Sequence, residues 1–479
     1  MEREPRFLID GDLVGATDGA TFSVTNPYTE SQITEVPNGS AKDAELAVQA
    51  ALRAAPDWAS TPAPQRAQTI LQLAEAIEQR AQELAVLDVV DSGAPISVMA
   101  ADVRLAAESL RYFAGLALEM KGSTVPASSN LHFTERQPFG VVARIIPFNH
   151  PILFAASKIA APLVAGNTVI LKPAESTPLS ALELGRIAQS ILPAGTLGVV
   201  TSDGLAVPDA IVRHPDVRRI GFTGSEAAGR AIQRAAAEVA VKDVTLELGG
   251  KNALIAFPDA DPAAVAAGAV RGMNFTWSGQ SCGSTSRLLV HESIADEVLG
   301  LIVAEVENRE YPSPLDPRAV QGTIVNRRQY QRILNYIDDA VDEGARILAG
   351  GGAPPNAERG LFIAPTILDE VQPTFRIASE EVFGPVLSVL RFRTEEEAVA
   401  LANAVRYGLT GSVYTNDVRR AHRVARALET GYVWINGAGP HYTGMPYGGW
   451  KNSGLGREES IDELHSYTQL KSTNVILQA

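Results

Sequence analysis

From Gly140 onward the chain alternates short β-rich runs with longer helical ones, and no other property of the sequence narrows the fold as far. The runs Val141 to Ile146, Thr168 to Leu171, Leu197 to Thr201, Arg219 to Phe222 and Asp243 to Leu248 are separated by helical stretches near 151–165, 178–191, 204–213 and 225–237. Strands that return in parallel after a helix are buried on both faces. This predicts an α/β fold with a doubly wound sheet, whose ligands sit at the carboxyl ends of its strands. A less regular alternation fills 252–435, with candidate strands at 253–256, 286–290, 386–392, 411–415 and 432–435, and predicts a second α/β lobe. Upstream, helical spacing predicts core-facing helices over Ala41 to Ala55, Pro64 to Val90 and about Ala100 to Met120. The first forty residues read as short antiparallel strands forming a covering flap, and Gly350-Gly-Gly-Ala-Pro-Pro-Asn356 as a surface loop.

Against this frame stands a single cysteine, Cys282, in Trp277-Ser-Gly-Gln-Ser-Cys282-Gly-Ser-Thr-Ser-Arg287. A structural cysteine usually lies among apolar residues, whereas this one sits in a polar, glycine-bearing turn where a thiol can ionise and a substrate can approach the backbone. An inert loop cysteine is the alternative. The same residues also fit G-x-S-x-G at Gly279-Gln-Ser281-Cys-Gly283, a hydrolase elbow with Ser281 as nucleophile. Such an elbow needs a strong strand before it, and Arg271 to Trp277 resembles a helix end. One cysteine allows no internal disulfide, and the amino-terminal residues carry neither a secretory nor a transit character, so a cytoplasmic protein is expected. The net charge of −14 argues against nucleic acid or an anionic membrane as partner. No apolar run is long enough to span a bilayer, and the seven histidines lack metal-ligand spacing, so no metal is expected.

Most strand ends of the first lobe carry unusual residues. Pro147-Phe-Asn149-His-Pro151 presents an amide before a helix, as an oxyanion requires, although turns also favour asparagine for conformational reasons. Lys172-Pro-Ala-Glu175 offers a cation and a carboxylate suited to ribose hydroxyls, or simply an exposed loop capped by Ser176 or Thr177. Gly221-Phe-Thr-Gly224-Ser225 opens a helix, whose first N–H groups attract phosphate, yet the G-x-G-x-x-G fingerprint is absent. Glu247-Leu-Gly-Gly-Lys251 sets an acid beside two glycines at the lobe junction, as a general base or as a partner for Lys251.

These windows and the cysteine turn, together with Glu380-Glu381-Val-Phe383-Gly-Pro385 and Pro446-Tyr-Gly-Gly-Trp-Lys-Asn-Ser-Gly-Leu-Gly456-Arg-Glu458, closely resemble the aldehyde dehydrogenase superfamily from about Asn26 to the carboxyl terminus. The resemblance implies a dinucleotide site without the common glycine fingerprint. Lys172 and Glu175 would hold the adenosine ribose, Ser225 the pyrophosphate, and Glu381 with Phe383 the nicotinamide ribose and ring. Further cofactor contacts are expected at Ile146, Pro147, Phe148, Gly204, Phe222, Thr223, Gly224, Leu248 and Gly249. A carboxylate at Glu175 favours NAD over NADP. Ser202 and Pro208 stand where relatives usually carry glycine, in a loop bordering the adenine region.

The implied chemistry is attack by Cys282 on an aldehyde, with Asn149 stabilising the oxyanion and Glu247 activating water for the thioester. Lys158 and Glu458 would relay protons or orient that base. Residues near the expected aldehyde tunnel are His150, Phe154, Trp277, Ser281, His441 and Tyr442. They form an aromatic-rich set without lysine or arginine, which points to an aromatic or other apolar aldehyde over a semialdehyde bearing a carboxylate. The expected division is 1–118 with 139–249 for the dinucleotide, 250–449 for catalysis, and 119–138 with 460–479 for a bridging β-ribbon. That ribbon would join a homodimer or homotetramer.

Overall fold

The computed structural model describes residues 4–307 and 309–477, so the outermost residues of the expected dinucleotide-binding and ribbon segments lie outside the described residues. Among them, five parallel strands form the centre of the first sheet, in the order Leu197–Val199, Thr168–Lys172, Val141–Ile145, Val217–Thr223 and Asp243–Glu247. The three strands Leu197–Val199, Thr168–Lys172 and Val141–Ile145 are buried at every residue, because helices such as Pro151–Val164 and Leu179–Ala188 pack on the sheet. Each strand and helix expected between Val141 and Leu248 is present within a few residues.

The first forty residues form the expected short antiparallel strands, Thr21–Thr25 with Gln32–Pro37 as a separate hairpin, but the first pair joins the sheet. Phe7–Ile9 and Asp12–Val14 form a hairpin that extends the sheet, with Leu8 opposite Val199 in antiparallel register. Phe7, Leu8 and Ile9 are all buried, since helix Leu179–Ala188 lies over them and Gly185 admits Leu8 closely. At the opposite edge, Gly454–Leu455 pairs with the end of Asp243–Glu247, bringing a late segment of chain into the first lobe.

Two helix bounds also differ. The expected helix Pro64 to Val90 is two helices, Ala63–Gln79 and Ala81–Ser92, broken at Arg80. No glycine or proline marks that break, so the apolar periodicity runs through it. The next helix is Ile96–Gly115, followed by a short 3-10 turn at Ala117–Glu119.

The second sheet runs Arg346–Ala349, Thr366–Asp369, Val386–Phe392, Arg287–His291, Ala253–Ala256, Thr410–Tyr414 and Tyr432–Ile435. It is parallel except for the first pair. Its first two strands escape a reading of the sequence, because four residues beside a glycine or proline are too few to show a period. Apolar clusters cover both of its faces. Leu131–Pro138 and Thr468–Val475 form a separate antiparallel ribbon, paired from Leu131↔Val475 to Pro138↔Thr468. The protein therefore consists of two α/β lobes and a β-ribbon. Among the described residues no helix is long and apolar enough to cross a membrane.

Candidate active site

The cysteine turn is held in shape by residues in left-handed conformation. After helix Pro262–Gly272 the chain forms a 3-10 turn, Phe275–Trp277, with Asn274, Ser278 and Gly279 all at positive φ. A Cβ at Gly279 would collide with the carbonyl of Gly384, so the turn can lie against the Glu381–Pro385 segment only because residue 279 is glycine. The strand that a Ser281 elbow requires is not formed, which removes the structural basis of the hydrolase alternative. Asn252 fastens the far side of the turn. Its Nδ2 donates to the carbonyls of Cys282 (2.8 Å) and Ser284 (2.9 Å), while its Oδ1 accepts from Thr410 N–H. Gln280 is buried and donates to the Trp277 and Thr323 carbonyls.

The sulfur packs against Leu409, Tyr432, Trp434 and Tyr447. Its immediate polar neighbour is the Tyr447 hydroxyl, 3.9 Å from Sγ. Burial pushes the thiol up to about 12, Glu381 and Glu247 push the same way, and Tyr447 and Lys158 oppose. The polar turn thus does not by itself give a thiolate: the residue is part-buried, and desolvation of the sulfur works against the ionisation expected from the sequence. The same interactions bring Cys282 into the field of Glu247 and Lys158 from the first lobe.

Asn149 lies just before His150, the cap of helix Pro151–Val164, with Pro151 at the first helical position, where a missing N–H costs nothing. Its side chain is buried and its Oδ1 has no partner. Two turns into the helix, Lys158 donates to Glu458 Oε2 at 2.5 Å, and Arg144 Nη2 donates to Glu458 Oε1 at 2.9 Å. All three are nearly inaccessible. Burial alone would raise the Glu458 carboxyl, but Lys158 and then Arg144 outweigh it and hold the carboxyl down to about 2. Glu247, at the end of its strand, is held well above the ordinary carboxylate range by burial and then by the charge of Glu458. Neither of its oxygens has a partner, nor does the buried Lys251 Nζ, so the alternative of a Glu247–Lys251 pair is not realised.

The segment carrying Glu381 and Phe383 meets the strand ends of the first lobe at Gly250 and Phe148. Ser225 caps helix Glu226–Val239 and accepts from Ala228 N–H at 3.3 Å, leaving the helix start facing the carboxyl end of the sheet. Lys172 Nζ and Glu175 Oε2 are 3.9 Å apart at the end of their strand. Helix Leu179–Ala188 has no side-chain cap, and Thr177 donates instead to the Phe148 carbonyl, so the capping role considered for Ser176 or Thr177 does not hold. Glu381 Oε1 accepts from Gly250 N–H at 3.1 Å, and burial raises this carboxyl to about 7. A Cβ at Gly249 would occupy the place of the Glu381 carboxylate. Phe383, in left-handed conformation, meets Phe148 edge to face across the cleft at 5.6 Å. Ser202 is buried with its hydroxyl on the Gly204 carbonyl, and Pro208 sits in the first turn of Ala206–Arg213, so both departures from glycine are accommodated.

The aromatic set divides. His150 packs against Phe154 (5.2 Å) and Trp277 (5.3 Å), and His441 against Tyr447 (4.3 Å). Tyr442 is 58% exposed and takes no part in either cluster. The sequence reading missed Tyr447, Asn252, Arg144, and the carboxylates that hold the two imidazoles. Asp102 lies 2.7 Å from His150 Nδ1, and Glu459 lies 3.1 Å from His441 Nδ1. Arg144 had a usable signal, an arginine within an otherwise apolar strand.

Comparison with known proteins bears on this arrangement. The model of the aldehyde dehydrogenase family matches residues 14–473. The aldehyde dehydrogenase tropH of Talaromyces stipitatus is 42% identical over 462 residues, covering 94% of this chain and 89% of that protein. Peroxisomal aminoaldehyde dehydrogenase 1 of Pisum sativum is 42% identical over 477 residues, covering 97% and 94%. The structure of PnpE from Pseudomonas sp. WBC-3, solved also in complex with nicotinamide adenine dinucleotide, superposes with a TM-score of 0.97 at 39% identity, covering 100% of this chain and 98% of PnpE.

Proposed function

The chain belongs to the aldehyde dehydrogenase family, and from that premise we propose that it oxidises an aromatic or other apolar aldehyde to the carboxylic acid with NAD, using Cys282 as nucleophile. The observation that carries this reading is that Cys282 of one lobe lies within electrostatic reach of Glu247 and Lys158 of the other. The cleft fits a dinucleotide, because Gly249 leaves the space that the Glu381 carboxylate enters and Ser225 starts a helix at the sheet's carboxyl edge. Lys172 and Glu175 would hold the adenosine ribose, Ser225 the pyrophosphate, and Glu381 with Phe383 the nicotinamide end. The bound nicotinamide supplies a hydride acceptor.

The Cys282 thiol gives up its proton to solvent water as its sulfur adds to the aldehyde carbon, and the oxyanion accepts hydrogen bonds from the Asn149 side chain and the Cys282 N–H, donors typically worth about 10²-fold to 10³-fold each. Glu247 is a stronger base for being buried, and it removes a proton from the water that cleaves the acyl–sulfur bond. Lys158 and Glu458 act on Glu247 through charge. The ribbon Leu131–Pro138 with Thr468–Val475 leaves open strand edges suited to joining a second copy, hence a homodimer or homotetramer, and a single cysteine suits the cytoplasm.

Following reduced nicotinamide with benzaldehyde, hexanal and succinic semialdehyde, each with NAD and NADP, tests the reading. Benzaldehyde with NAD is expected to give the highest kcat/KM, and Cys282→Ala to abolish it. A marked preference for the semialdehyde would defeat the substrate assignment.

A further inference from the structure

The rings of His150 and Trp277 stand side by side next to Asn149, and each carries a nitrogen without a hydrogen-bond partner among the described residues. His150 is the residue after the oxyanion amide, and Trp277 lies five residues before the nucleophile. Their ring centroids are 5.3 Å apart and tilted by 47°. Trp277 belongs to the catalytic lobe in sequence, yet it packs against the core of the nucleotide lobe, so this contact closes the junction between the lobes. His150 Nδ1 is tied to Asp102 Oδ2 at 2.7 Å, and the carboxylate is 3% exposed. In the neutral ring this fixes the proton on Nδ1 and leaves Nε2 as an acceptor. Among the described residues Nε2 has no hydrogen-bond partner. The Trp277 Nε1–H is a donor, buried and equally without a partner.

An orphaned acceptor beside an orphaned donor is complementary to a group that both gives and takes a hydrogen bond. A hydroxyl does this, whereas an alkyl group does neither and a carboxylate can only accept. A carboxylate would moreover face the buried carboxylate of Asp102 behind His150. We propose that the aldehyde carries a hydroxyl group, which donates to His150 Nε2 and accepts from Trp277 Nε1–H, with Asp102 as the positioning residue that fixes the imidazole tautomer. This rests on the aromatic-aldehyde reading above and narrows it from an apolar to a hydroxylated ring. It also gives each carbonyl-side element a separate task. Asn149 meets the reacting oxygen, while the adjoining imidazole reads the remote end of the substrate.

The test compares kcat/KM for benzaldehyde with that for its 2-, 3- and 4-hydroxy derivatives. The acid product is measured by chromatography, because phenolic aldehydes absorb where reduced nicotinamide does. Wild type, His150→Phe, Trp277→Phe and Asp102→Asn are assayed, with dinucleotide binding as the check that each variant is folded. At least one hydroxy isomer is expected to exceed benzaldehyde by about tenfold, the worth of one to two neutral hydrogen bonds. That ratio should fall to about twofold or less in both His150→Phe and Trp277→Phe, whatever either does to turnover of benzaldehyde itself. It should also shrink in Asp102→Asn. A wild type that favours no isomer, or a ratio that survives in either aromatic variant, overturns the proposal. If benzaldehyde is turned over no faster than propanal, the aromatic reading fails on its own, and 3-hydroxypropanal against propanal then decides the hydroxyl question in the same variants.

Discussion

Replacing Glu458 by glutamine removes one negative charge and almost no volume from a site that holds two buried cations. The carboxyl is lowered from an ordinary 4.5 to about 2 by Lys158 and Arg144, working against burial. At about 1.36 kcal/mol per pH unit, that interval corresponds to about 3 kcal/mol. This agrees with the about 3–5 kcal/mol expected when one partner of a buried ion pair is removed and the other is left charged. The sign follows from the direction of the change. A carboxyl lowered by folding contributes its full stability above 4.5 and loses it as pH falls towards 2. Glu458→Gln should therefore shift the urea midpoint strongly at pH 7 and progressively less between pH 4.5 and pH 2.

The same substitution should move catalysis in the opposite sense from a general loss of structure. Glu458 is the charge that, after burial, most raises Glu247, so its removal lets Glu247 ionise at lower pH. The acid limb of the steady-state pH profile should shift downwards in whatever fraction remains folded. Urea unfolding at several pH values and the kcat profile over pH 5–10 check both halves. A variant as stable as wild type at pH 7, or an acid limb shifted upwards, would refute the reasoning.

Two further outcomes follow from the site. Glu247→Gln should keep a burst of reduced nicotinamide close to one per active site while steady-state turnover falls by about 10²-fold or more, the usual worth of a positioned base; loss of the burst, or full turnover, would remove Glu247 from the hydrolytic step. Tyr447→Phe deletes the hydroxyl that lowers the Cys282 thiol, so alkylation of Cys282 by iodoacetamide at pH 8 should slow by about twofold to tenfold, the worth of one ordinary hydrogen bond. Unchanged or faster alkylation would show that the hydroxyl does not tune the sulfur.

The parts of this molecule that could be read from sequence are those whose cause is local. The parallel strands of the first lobe announce themselves because a strand buried on both faces must be apolar throughout, as in Val169-Ile170-Leu171, and must end at a turn. Cys282 stands out because glycine and serine surround it. What could not be read depends on partners far along the chain. Nothing near His150 signals Asp102, and nothing near Cys282 signals Tyr447, 165 residues later. The environment of the thiol is hidden for the same reason, since the aromatic residues packed around Cys282 lie far along the chain. The hairpin Phe7–Val14 was misplaced because an alternating pattern describes a strand with one wet face, while helix Leu179–Ala188 covers this one.

Glu458 enters the first lobe 314 residues after Arg144. Tyr467, just before the ribbon, lies against the guanidinium groups of Arg144 and Arg219, 5.9 and 4.8 Å from its ring. On a ribosome, the amino-terminal half emerges with Arg144 and Lys158 already made and their counter-charge, Glu458, still to come. Burying those cations early would carry the full penalty of unpaired charge. The nucleotide lobe must therefore wait, open or loosely packed, until the carboxyl-terminal segment is released, and a nascent chain stalled before Glu458 should present itself to chaperones as an unfinished protein.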